Sequence, residues 1–247
     1  MLKKSACLGV WLSVMTLAAA EASSSNVGWS PQQGHLRLGG FLHPVALDVD
    51  EYDNRIRVKD SDLDYEGLEI QYGLTEALHM SIRYGLVSWR PDSEAPERFD
   101  NGIAWGIGLG GTVPVRRADH AGIDCDLGWA IAYDRGQPDA VTRLDGAVFD
   151  AELEWWHADL LLAGGYDQFY GFAGLRYTQM DLTYTHDSSR GRRRGGFQEA
   201  DPWGGVVGGG IVWQNGVVLQ GEVPLGNIDG YKLALMVDIG LPEGWFK

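Results

Sequence analysis

Along residues 67–86, apolar and polar side chains alternate with a period of two. Leu68, Ile70, Tyr72 and Leu74 share one face of a first arm, with Gly67, Glu69, Gln71 and Gly73 opposite. Leu78, Met80, Ile82, Tyr84 and Leu86 share one face of a second arm, against His79, Ser81, Arg83 and Gly85. Such alternation marks a strand with one apolar side, and Thr75-Glu76-Ala77 is short enough to join the arms as a tight hairpin. The same pattern predicts further strands. A first covers about 35–47, with a phase break and a bulge at Pro44. Ile103, Trp105, Ile107 and Leu109 alternate with Ala104, Gly106, Gly108 and Gly110. Ile123, Cys125, Leu127, Trp129, Ile131 and Tyr133 alternate with Asp124, Asp126, Gly128, Ala130 and Ala132. Phe149, Ala151, Leu153 and Trp155 oppose Asp150, Glu152 and Glu154. A strand over 172–185 presents Ala173, Leu175 and Tyr177, then shifts phase near Gln179 to present Leu182 and Tyr184. Strands over 203–213 and 217–225 flank the tight-turn signal Gln214-Asn215-Gly216. A last strand sets Tyr231, Leu233, Leu235, Val237 and Ile239 against Lys232, Ala234, Met236 and Asp238. That makes ten strands. Residues 157–168 lose phase, which leaves eight or twelve open.

The polar faces carry full charges and glycines, while the apolar faces are long and aromatic. A soluble sandwich would need another layer to cover them, and no helical segment is available for that. A barrel in a bilayer turns them outward and points the charges and glycines into a lumen. Alternate glycines on one strand fit a narrow lumen into which neighbouring strands send bulky groups. The fold class read here is all-β: an antiparallel transmembrane up-and-down β-barrel of about ten strands over 35–247. Polar stretches such as 48–63, 90–101 and 186–196 read as long loops at one end, alternating with short turns at the other. The composition agrees. Gly is 35 of 247 residues, near double the usual share of about 7%, and mean hydropathy is only -0.18, as expected when half of each strand faces a polar interior.

The N-terminus reads Met1-Leu2-Lys3-Lys4, an apolar run from Ala6 to Ala20, then Ala20-Glu21-Ala22. This is the pattern of a secretory signal peptide over 1–22, followed by a loose periplasmic lead over 23–34 and placing the barrel in the outer membrane. No later stretch has the roughly 18 apolar residues of a spanning helix. The formal net charge of -14 argues against nucleic acid, whose phosphates need clustered Lys and Arg. Cys125 is the one cysteine beyond the leader, on an apolar face, and is read as inert.

The signal peptide, the dyad pattern, the turn Tyr72-Gly-Leu-Thr-Glu-Ala-Leu78 and the stretch Gly171-Phe-Ala-Gly-Leu-Arg-Tyr177 together resemble the small Gram-negative outer-membrane β-barrels of the OmpA, OmpW or opacity-protein type. The resemblance covers nearly all of 35–241. It implies a porin-like or structural role, no cofactor, contact with lipid and lipopolysaccharide, and insertion by the outer-membrane assembly machinery. That machinery reads a closing aromatic residue, and here Phe246 is penultimate, after Pro242.

The lumen-lining candidates are Arg37, Glu69, Arg83, Asp124, Asp126, Asp150, Glu152, Glu154, Arg176, Asp181, Glu222, Lys232 and Asp238. Excess carboxylate describes a cation-preferring narrow pore; alternatively these groups pair into a charge network that fills a small barrel. Arg190, Arg192, Arg193 and Arg194 are lipopolysaccharide-contact candidates, since guanidinium forks suit phosphates. No catalytic residue is assigned. Gly-x-Ser-x-Gly is absent, and no histidine has metal-ligand spacing. His79 and Ser81 share a face, and His186 lies near Ser188, but neither pair makes a nucleophile without spatial support. Two other readings stay open: a surface enzyme, adhesin or receptor using the long loops, and a soluble secreted β-barrel or sandwich that binds a ligand.

Overall fold

A computed structural model describes residues 30–51, 57–90, 99–116, 124–142, 148–188, 191–226 and 228–240. The signal-peptide reading and the closing Phe246 lie outside these residues. Among the described residues there are thirteen strands: β1 (His35–Glu51), β2 (Arg57–Gly73), β3 (Leu78–Arg90), β4 (Phe99–Arg116), β5 (Asp124–Gln137), β6 (Val141–Thr142), β7 (Val148–Tyr166), β8 (Phe169–Ser188), β9 (Gly191–Glu199), β10 (Trp203–Val212), β11 (Val217–Leu225), β12 (Ile228–Gly230) and β13 (Lys232–Gly240). Every pairing between strands is antiparallel, and β13 closes on β1, with Leu36 against Ile239 and Leu42 against Leu233. Closure gives each of the ten long strands of the ring a partner on both sides.

The ring has two widths. Through its lower part run ten strands: β1, β2, β3, β4, β5, β7, β8, β10, β11 and β13. β9 and β10 are one wall broken at 200–202, for both pair with β8, β9 along Asp181–Ser188 and β10 along Phe169–Tyr177. The hairpin of β11 with β12 and β13 is shorter than its neighbours. Above it β9 meets β1 directly, through Val49, Asp50 and Glu51 against Glu199, Gln198 and Phe197. Eight strands therefore form the upper ring.

The burial pattern of single strands explains how one chain makes both levels. Lower β2 points Leu68 and Ile70 outward and Glu69 and Gln71 inward. Beyond Gly67 the phase is unbroken but the chemistry reverses: Leu63 and Tyr65 are buried inside, while Asp64 and Glu66 are exposed outside. β3 does the same across Gly85, the register partner of Gly67, with Arg83 and Ser81 inside below and Val87 and Trp89 inside above. β7 does it at Trp155–Trp156. Apolar groups must face lipid where lipid surrounds the wall and must face inward where water does. The upper ring thus holds an ordinary packed core of Phe41, Leu63, Trp89, Phe99, Leu153, Trp155, Met180 and Leu182, among others.

Several sequence expectations change for this reason. The polar stretches 48–63 and 186–196 are largely wall rather than loop: β1 runs on to Glu51, β2 begins at Arg57, and β9 starts at Gly191. Residues 157–168 are no irregular turn. β7 continues through them to Tyr166 and pairs with β8 from Phe169 to Asp187. Nor does the strand over 172–185 shift phase at Gln179; Thr178, Met180 and Leu182 continue the buried side set by Phe172 and Arg176. The lead is not loose over 30–34. Gly34 N donates to Gly73 O at 2.8 Å, and Gln33 bridges to Gly73.

Candidate functional site: a charged lumen

Aromatic side chains mark two levels on the outer wall. Trp105, Tyr133 and Trp156 touch across β4, β5 and β7, with ring centroids 5.8 and 4.6 Å apart, and Tyr177 meets Trp203 across β8 and β10 at 5.0 Å. Tyr84 pairs with Trp105 in register, and Tyr231 is exposed beside β13. A lower set includes Tyr72, Tyr166, Phe169 and Trp213. On β7 the levels are ten residues apart, Trp156 to Tyr166. That is roughly 33 Å of strand at about 3.3 Å per residue, or about 25 Å along the normal at a tilt of about 40°, the height of the apolar band of a membrane barrel. Between the girdles the exposed residues include Leu68, Ile82, Ile107, Leu160, Leu175 and Leu235.

Inside this band several buried side chains are charged and paired, beside an apolar cluster of Leu161, Ala163, Tyr170, Phe172 and Val206. Arg176 donates from Nε and Nη2 to both oxygens of Asp159, at 2.7 and 2.8 Å, and from Nη1 to Glu222 Oε1 at 2.9 Å. Arg83 Nη2 lies 2.9 Å from Asp134 Oδ2; this is a charge contact, because its angle does not make an aligned hydrogen bond. Lys232 Nζ lies 3.0 Å from Glu69 Oε2, and Gln71 donates to the other Glu69 oxygen at 3.1 Å. Near the lower mouth Arg37 donates to Asp238 at 2.8 Å, with His35 on the second oxygen at 2.7 Å. Of these groups Glu69, Arg83, Asp159, Arg176, Glu222 and Lys232 line a chamber of about 70 Å³ that also touches His43, His79, Ser81, His157 and Gln220.

Glycines on β4 make the space. A Cβ on Gly106 would strike Asp134 Oδ1, one on Gly108 would strike Ser81 Oγ, and one on Gly110 would strike the His79 ring. Each bare position admits a neighbour's polar side chain, as their alternation on β4 suggests.

Side chains stand at both ends of the chamber. Above it, His43 stacks on Trp155 at 5.0 Å and Trp155 meets His157 at 6.3 Å, beneath Trp89 stacked on Phe99 at 5.0 Å. Below, Ser30 Oγ lies 2.9 Å from His79 Nδ1, and Ser30 is buried. His79 thus meets Ser30 through Nδ1, and both His79 and Ser81 line the chamber.

The structure places Arg37, Glu69, Arg83, Asp126, Arg176, Glu222, Lys232 and Asp238 on the inner face. Asp150, Glu152, Glu154 and Asp181 are not there. They alternate with the buried Ala151, Leu153, Trp155, Met180 and Leu182 and so face outward, and Glu152 pairs with Arg135 on the outer wall. The assignment fails because this part of β7 and β8 stands above the lipid, where the apolar face turns inward. The side chains of Asp124 and Arg193, and Arg190 altogether, lie outside the described residues. Arg192 and Arg194 are exposed on β9, Arg192 at 3.9 Å from Asp187. At the level of the band two inner carboxylates escaped the sequence reading, Asp134 just past the last alternating residue Tyr133 and Asp159 within the stretch that lost phase. Among the described side chains, the inward carboxylates below the upper ring are Glu69, Asp126, Asp134, Asp159, Glu222 and Asp238, against Arg37, Arg83, Arg176 and Lys232. The acid excess is smaller than the sequence suggested.

No protein-family model matches the chain, and no curated protein does. Among solved structures it is similar to the transport unit of the autotransporter AIDA-I from Escherichia coli, at 13% identity and a TM-score of 0.44 over 95% of this chain and 98% of that one. It is similar to the outer membrane protease OmpT from Escherichia coli, at 10% identity and 0.41 over 85% and 97%. It is also similar to the outer membrane protein OprG from Pseudomonas aeruginosa, at 11% identity and 0.39 over 86% and 99%. At such values none of the three lends the chain an activity. The lipid-facing band, the two girdles and the closed ring stand on this chain's own geometry, and by them its fold is a closed antiparallel membrane β-barrel, ten strands wide at the band and eight above it.

Proposed function

We propose that this protein is a closed, non-catalytic barrel of the outer membrane, a structural wall that carries a rigid extramembrane ring, and not a conducting pore. The observation that carries this reading is the packed apolar core of the upper ring, Trp89, Phe99, Leu153, Trp155 and Leu182, seated over the paired charges. An ion leaving the chamber upward would have to cross side chains packed at interior density. The near balance of buried charge supports the same reading, since a conducting ring needs carboxylates that are not already neutralised. In planar bilayers the purified protein is expected to show no steady unit conductance in molar KCl, and Asp126→Asn is expected to change nothing. Cation-selective steps that Asp126→Asn alters would replace this reading with the narrow pore.

The exposed Arg192 and Arg194 extend the proposal to lipopolysaccharide. Arg194 pairs with Thr185, eight residues beyond Tyr177 on β8, so about 20 Å above the girdle at the same rise and tilt. That height reaches the saccharide region, where phosphate groups suit guanidinium forks. Arg192→Ala with Arg194→Ala is expected to weaken binding to lipopolysaccharide micelles several-fold, with a shallower salt dependence. Unchanged binding in surface plasmon resonance would remove the contact.

A further inference from the structure

The upper ring closes at one thin joint. β7 and β8 pair along their whole lengths, whereas β1 and β9 meet only at Val49–Glu51 against Glu199–Phe197, beside a bulge between Leu47 and Val49. Below the joint the wall is broken at 200–202, and the β11–β12 turn carries Gly226 at φ 120°. Glu199 lies in this joint. It is the register partner of Val49, which is buried in the apolar core, so its side chain points inward too. Glu199 is 8% exposed, and neither carboxylate oxygen finds a hydrogen-bond partner among the described residues.

The charged groups nearby, among the described side chains, give no relief. Asp201, two residues on, acts on Glu199 as a like charge. Asp50 on β1 and Asp181 on β8, which is paired with Gln198, face the outer side, and Asp48 sits in the bulge with its carbonyl taking Ala200 N at 3.2 Å. β9 stands wholly above the girdle. Burial first, and Asp201 second, push the Glu199 carboxyl up to about 8.

We propose that Glu199 is a proton-operated latch on the β1–β9 joint: while its carboxyl is protonated the upper ring is shut, and loss of that proton releases β9 from β1 above the bilayer. An unpaired carboxylate inside an apolar core is costly, and separating three register pairs is the shortest route by which it reaches water. The belt strands keep their pairing, so the opening is local.

The direction follows from linkage. The closed joint holds the proton more tightly than the open one, so closure is strongest below about 4.5 and weakens as pH rises to about 8. Over that window the open population grows about tenfold per pH unit, then levels off. The test is hydrogen–deuterium exchange of the full chain in detergent micelles from pH 4.5 to 9, corrected for intrinsic rates. Amides of β9 and of Val49–Glu51 are expected to lose protection in this manner while those of β7 do not. Glu199→Gln should hold the joint shut at every pH. Asp201→Asn should bring the levelling-off to lower pH, because a like charge has gone. A β9 profile flat in the unaltered protein, the same decline in Glu199→Gln, or parallel loss of protection in β7 would each overturn the latch. None of these outcomes bears on whether the lumen conducts, so the closed-barrel reading is judged separately.

Discussion

Replacing Arg176 with alanine is expected to destabilise the barrel by about 3–5 kcal/mol, the usual cost of stripping one partner from a buried ion pair. Arg176 satisfies Asp159 through two hydrogen bonds and Glu222 through a third, and all three side chains are nearly buried. Without the guanidinium, two carboxylates share a low-dielectric lumen with Lys232 and Arg83 as the cations left on the chamber wall. Urea titration of the protein folded in lipid vesicles, followed by the gel mobility of unboiled samples, measures the loss. Replacing the whole cluster tests the reasoning more closely. Arg176→Met together with Asp159→Leu and Glu222→Leu removes every charge at once and should recover most of the stability, since the loss comes from uncompensated charge and not from the absence of a bond. A single Arg176→Ala as stable as the parent would mean that water reaches these groups freely.

The second large effect lies one level up. Leu182→Asp is expected to cost at least about 4 kcal/mol or to prevent assembly, because Leu182 is fully buried in the upper core and its replacement brings a carboxylate with no partner. Asp181→Leu, on the adjacent residue, is expected to fall within about 0.5 kcal/mol, as outward substitutions usually do. Were the wall at this height lipid-facing outside and polar inside, the two variants would behave the other way round. The same urea titration distinguishes the cases, and agreement of the two variants in either direction would show that the level is misplaced.

These two tests bracket what could be read from the amino-acid pattern. The hairpin Leu68–Leu86, the ten lower strands and the inward position of Glu69, Arg83, Arg176 and Lys232 are legible because each depends on a local alternation of period two. Asp134 and Asp159 were lost for a local reason as well. One follows a long regular strand and looks like the start of a loop, and the other lies where apolar residues on both faces, Leu160, Leu161 and Leu162, erase the alternation.

By itself the sequence determined that this chain forms strands, which side chains share a face, and that a bilayer suits the faces between residues such as Leu68 and Leu74. It could not say where along a strand the surroundings change from lipid to water. Alternation fixes two faces, but which of them is inside depends on what lies around the wall at that height. At Gly67 and Gly85 the apolar set crosses from outside to inside with no break in the backbone. From the pattern alone that crossing on β7 and β8 reads as a lost phase, and Asp150, Glu152, Glu154 and Asp181 fall on the wrong side. Only the closed ring decided it. Register carries Trp156 and Tyr177 to the height of Trp105 and Trp203, and this common level separates the lipid-facing wall from the water-facing one. The same holds for the joint of β1 with β9, since Val49 and Glu199 are 150 residues apart in the chain and meet only because the β11–β13 hairpin is too short to keep them separate.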